Sequence, residues 1–80
     1  MGGIKLKEVE MTYRIRDLQF EDAYFAGGER FRTKKDICER LINYHSVDCN
    51  MLTEIKLLNA GKVKECLNRL MAFGWRVEKE

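Results

Sequence analysis

Cys38, His45, Cys49 and Cys66 are the residues of this chain best equipped for chemistry, and the first three share the stretch "CERLINYHSVDC". Three thiols and a single imidazole could encircle a zinc ion, which takes nitrogen and sulfur ligands at about 2.0–2.3 Å. A histidine beside a cysteine could also poise a thiolate nucleophile. Spacing argues against both. On one helix positions 38, 45 and 49 share a side, but a rise of about 1.5 Å per residue sets Cys38 and His45 roughly 10 Å apart. Ligands that far apart cannot converge on one ion. His45, Cys49 and an incoming Cys66 make three ligands at most, and there is no CxxC or HxxxH nucleus. No acid accompanies His45 to orient it as a base. The same positions fall on apolar stripes, where a free cysteine packs as a small hydrophobe. The sequence therefore predicts structural cysteines, a half-buried histidine with its hydrogen bond satisfied, and no metal, cofactor or catalytic residue.

The elements that position these residues can be read from periodicity. From Met11 the chain alternates, with Met11, Tyr13 and Ile15 on one side and Thr12, Arg14 and Arg16 on the other; that is the pattern of a half-buried strand. After the polar turn "DLQFED", the segment "AYFAGG" alternates again, Ala23 and Phe25 against Tyr24, and closes on Gly27-Gly28. A β-hairpin follows from this, with Phe31 returning as a core anchor. Thr33 caps a helix, with Asp36 three residues on as its answering acid. Ile37, Cys38, Leu41, Ile42 and His45 form its apolar stripe. "HSVDCN" interrupts, with Asp48 or Asn50 as the next cap. Met51, Leu52, Ile55 and Leu58 predict a short second helix, and Val63, Cys66, Leu67, Leu70 and Met71 a third. Gly74 ends that helix, and Trp75 and Val77, opposed to Arg76 and Glu78, make a closing strand.

The fold class expected is α+β: a small three-stranded, mainly antiparallel sheet, a hairpin plus the C-terminal strand, with two or three helices packed on one face. Residues 11–80 make the single domain. Residues 1–10, "MGGIKLKEVE", are either a leader, with Met11 as the natural start, or a short first strand.

Composition bounds the function. Apolar residues are 45% of the 80, enough for a packed core. Charges are abundant but balanced, 15 basic against 13 acidic for a net +2, so attraction to nucleic acid or membrane must come from a local patch. No apolar run could span a bilayer, and no signal peptide is evident. Free thiols and a cytoplasmic setting follow. Gly27-Gly28 lacks the spacing of a phosphate loop, and Glu21-Asp22 reads as solvated turn.

One local patch exists. If Tyr13, Ile15, Phe25, Trp75 and Val77 face the helices, Arg14, Arg16, Tyr24 and Arg76 share the opposite face, with Arg30, Arg32, Lys34 and Lys35 just beyond the hairpin. Arginines beside an aromatic on an open sheet could hold phosphates and stack a base. Surface strands also carry charge simply to discourage edge pairing, and Glu78 and Glu80 would neutralise part of the patch. Arg14, Arg16, Tyr24, Arg30, Arg32 and Arg76 are the candidate binding residues.

The segment "MTYRIRD…AYFAGGERFRTKKDICERL", together with "FGWRVEKE", resembles small uncharacterised proteins encoded in phages and prophages of Gram-positive bacteria. The likeness covers Met11 to about Leu41 and Phe73 to Glu80, and omits "NYHSVDCNMLTEIKLLNAGK". It implies a cytoplasmic accessory protein of a mobile element and agrees with Met11 as the start. It carries no assigned catalytic or binding residue. The expected function is a non-enzymatic module binding an unknown protein partner, with weak nucleic-acid binding through the arginine face as the alternative. Free sheet edges also leave homodimer formation open.

Overall fold

A computed structural model of the chain describes residues 12–80; the expectations for residues 1–10 and for Met11 lie outside the described residues. The order is β1 (Tyr13–Asp17), β2 (Ala23–Tyr24), α1 (Lys34–His45), α2 (Leu52–Asn59), α3 (Val63–Met71) and β3 (Trp75–Lys79). The three strands form one antiparallel sheet in the order β2-β1-β3, which with three helices makes an α+β fold. The first and last of the described strands thus lie side by side, in a register that sets Ile15 opposite Val77 and Arg16 opposite Arg76.

The second strand is shorter than the alternation of "AYFAGG" suggests. Only Ala23 and Tyr24 pair with β1, and Phe25–Gly27 then coils into a 3-10 turn. Ala26, Gly27 and Gly28 all have positive φ (52°, 70° and 98°), which a strand cannot accommodate. The chain leaves the ladder there and regains it at Phe31, which exchanges two backbone hydrogen bonds with Tyr13. The detour points Phe25 into the core, where its ring meets Tyr44 and Trp75 edge to face, with centroids 5.1 and 5.4 Å away. Phe25 and Phe31 are buried as expected, but Phe25 reaches the core from a turn, not a strand.

Thr33 caps α1: its Oγ1 accepts the Asp36 N–H at 3.0 Å. The buried stripe of that helix is Ile37, Cys38, Leu41 and Ile42. Asn50 caps the approach to α2, its Oδ1 accepting the Leu52 N–H at 2.9 Å. On α2 the expected stripe needs correction. Met51 and Leu58 face inward, but Leu52 and Ile55 are exposed, and Glu54 takes the inward position between them. Glu54 is tolerated because its carboxylate accepts a hydrogen bond from Arg69 Nε at 3.0 Å, and a buried charge needs such a partner. Cys66, Leu67 and Leu70 of α3 complete the core with Ile15. Gly74, at φ 105°, turns the chain from α3 into β3.

Candidate functional site

The arginine face is assembled by register. Tyr24 stands opposite Arg16 across β1–β2, and Glu78 opposite Arg14 across β1–β3, so side chains that alternate outward meet on one surface. The guanidinium carbons of Arg14 and Arg16 lie over the Tyr24 ring, 4.2 and 4.6 Å from its centroid. The Tyr24 hydroxyl accepts from Arg16 at 2.7 Å and donates to Glu78 at 3.0 Å. Arg16 Nε donates to the other Glu78 oxygen at 2.7 Å, and Arg76 approaches that oxygen at 3.4 Å. Arg30 Nε donates to Glu80 at 2.7 Å. Arg14 Nε is 3.1 Å from the same carboxylate but not aligned for a hydrogen bond, so that contact is Coulombic.

These contacts hold Glu78 below the ordinary carboxylate range, chiefly through the Arg16 hydrogen bond and then that of Tyr24. Arg30 does the same for Glu80. The structure therefore brings Arg14, Arg16, Tyr24, Arg30 and Arg76 together, as foreseen, around two carboxylates. Arg32 is exposed between Phe31 and α1. As a base-binding surface the arrangement is poor. The Tyr24 ring is already covered by guanidinium, and Arg16 and Arg30 are committed to carboxylates.

The edge of the sheet offers more. Leu18 N–H donates to Gly74 and Glu80 N–H to Thr12, both at 2.9 Å. In an antiparallel ladder hydrogen-bonded pairs alternate, so Gly74, Arg76, Glu78 and Glu80 turn their backbone groups toward β1. Trp75, Val77 and Lys79 turn theirs the other way, and among the described residues β3 pairs with β1 alone. Beside this edge, between β3 and α3, runs a groove of about 390 Å³. Tyr13, Leu18, Leu67, Met71, Trp75 and Val77 supply its apolar lining, and Lys34, Arg76 and Lys79 its positive charge. The side chains of the residues with outward-facing amides line the groove. Sequence reasoning placed Trp75 and Val77 on the inner face but could not reach the groove, which depends on how far α3 stands from the strand.

The thiols and the imidazole occupy separate surroundings. Cys38 and Cys66 are buried in the core. The Cys38 thiol is pushed up to about 12 by burial and by the neighbouring Cys66, and the Cys66 thiol donates to the Glu54 carbonyl at 3.4 Å. Cys49 corrects the expectation of three packed cysteines: it is exposed, because α1 ends at His45 and the loop carries residue 49 off the helical stripe. Its thiol is also raised, by partial desolvation and then by Asp48. No thiolate poised for attack results. His45 stacks on Phe73 with centroids 4.0 Å apart, and its Nε2 accepts the Trp75 indole N–H at 2.9 Å. Burial lowers its pKa while Asp48 opposes the shift. The half-buried, hydrogen-bonded histidine is as expected. Among the described residues no helix is long and apolar enough to cross a membrane.

No family model matches the chain, and neither a curated protein nor a solved structure is significantly similar to it.

Proposed function

We propose that this chain is a non-enzymatic protein-interaction module that receives an extended polypeptide segment along β3. The observation that carries this reading is the coincidence of a strand edge that pairs with no other strand among the described residues and an apolar groove lined by Trp75, Val77 and Lys79. Strand addition draws affinity from main-chain hydrogen bonds and specificity from pockets that take alternate side chains. Both elements are in place here, with lysines lining the groove to favour an acidic flank. A cytoplasmic accessory protein of a phage or prophage is the setting we propose, in line with the sequence resemblance. The nucleic-acid alternative is less well supported, since the Tyr24 ring is covered and its neighbouring arginines are engaged.

Panning a library of displayed linear peptides on the protein tests the reading. Peptides of alternating apolar character should be enriched and should lose binding to Val77→Pro. That substitution deletes an outward N–H and no bond to β1, and edge strands tolerate proline in that orientation. Val77→Lys, which places a charge at the groove, is the second variant should proline perturb the fold. Failure to select any peptide, or selection of peptides indifferent to both variants, overturns the proposal. Salt-dependent binding of labelled single-stranded DNA, lost in Arg14→Ala/Arg16→Ala, would favour the alternative.

A further inference from the structure

We infer that the segment received at this edge is β3 of a second copy of the chain, giving a two-fold dimer with a continuous six-stranded sheet centred on Val77. The inference rests on the edge-binding reading and adds the identity of the partner. An antiparallel pairing across the open edge must use the residues whose amides and carbonyls face outward, Trp75, Val77 and Lys79. A two-fold axis between Val77 and its symmetry mate uses all three. Val77 then pairs with Val77, Trp75 with Lys79, and Lys79 with Trp75, each as a hydrogen-bonded pair.

Charge selects this register. With Val77 on the axis, Arg76 stands directly opposite Glu78 of the other copy, twice over, on the face away from the helices. Opposite charges in direct cross-strand pairing stabilise a sheet. On the inner face each Lys79 is placed beside the other copy's Trp75 ring, a cation–π arrangement. Moving the axis by one residue keeps outward-facing groups opposite one another but pairs only two of the three on each copy, and it places like charges face to face. An axis at Arg76 sets arginine against arginine, and an axis at Glu78 sets glutamate against glutamate, both destabilising. The strand "WRVEK" is thus self-complementary in one register and repulsive in its neighbours. Arg76 is free to turn, because its side chain is 60% exposed and its only described ion pair is a 3.4 Å contact to Glu78 of its own strand. The groove sets α3 back from the edge, leaving room on the helical side for the second strand.

Sedimentation velocity of the full-length chain, from about 1 to 200 µM, tests the inference. The wild-type protein should show a concentration-dependent shift from monomer toward twice its 9.5 kDa mass. Arg76→Glu opposes two glutamates on each side of the axis and should raise the dissociation constant about tenfold or more. Val77→Pro should leave a monomer, with circular dichroism reporting retention of the monomer fold. In a Cys49→Ser background, Val77→Cys should form an intermolecular disulfide on mild oxidation, since hydrogen-bonded pairs place Cα atoms about 5.5 Å apart, within disulfide range. A wild-type chain that stays monomeric at the highest concentration overturns self-pairing. So does a dimer unaffected by Arg76→Glu and Val77→Pro, which would use another surface. If the monomeric chain still selects peptides that Val77→Pro releases, self-pairing alone fails and edge binding stands; if it selects none, both fall.

Discussion

The contact between His45 and Trp75 makes folding stability depend on pH in a defined window. The imidazole Nε2 accepts the indole N–H at 2.9 Å while the ring lies against Phe73. Protonating Nε2 would turn that acceptor into a donor facing a donor, in a half-buried site that already disfavours charge. The folded pKa is accordingly lowered from 6.5, with burial as the main cause and Asp48 partly opposing it. The unfolded chain takes up the proton near pH 6.5, the folded chain only at lower pH. Between those values the unfolded state holds more protons, so stability is fully present above about pH 6.5 and falls as pH falls through the window. A single proton sets a ceiling of about 1.4 kcal/mol per pH unit on the slope. Glu78 and Glu80, held below their ordinary range of 4.5, lose their stabilising ionisation only at lower pH.

His45→Gln is the informative perturbation, because glutamine still offers an acceptor to the indole but does not titrate. Urea denaturation followed by fluorescence of Trp75, the only tryptophan in the chain, should show wild-type stability declining from about pH 7 to pH 5. The variant should show a flatter profile, and its own loss at pH 7 should stay within the ~1 kcal/mol typical of one hydrogen bond. Parallel profiles for the two proteins, or a wild-type profile that rises toward pH 5, would refute the reasoning.

Two other expectations can be checked with standard measurements. Arg69→Met strands the Glu54 carboxylate, which is 5% exposed. Since Arg69 is itself half exposed, the cost should be roughly 1–3 kcal/mol, below the figure for a fully buried pair. The urea midpoint reads this out, and Glu54→Gln combined with Arg69→Met should recover part of the loss. In the native protein a thiol-specific disulfide reagent should modify Cys49 alone at first, with Cys38 and Cys66 reacting only on unfolding; equal rates at all three would contradict the burial of the latter two.

Much of this molecule was readable from residue order. The outward alternation of Arg14 and Arg16, the apolar stripe of α1, the Thr33 cap and the inward face of Trp75 and Val77 follow from periods of two and 3.6 and from capping chemistry, all local properties. Where local rules failed, a distant partner had intervened. Glu54 points inward because Arg69, fifteen residues away, reaches its carboxylate, and Phe25 keeps its inward side from a turn, where Tyr44 and Trp75 pack against its ring. Whether β3 paired with β1 or β2, and so which backbone groups stayed open, depends on long-range pairing that no window of sequence contains. The sequence by itself determined which side chains are oily, which are charged and how they alternate. The tertiary structure decided that "WRVEK" became an edge beside a groove, because strand order and helix offset are set by packing across the whole core.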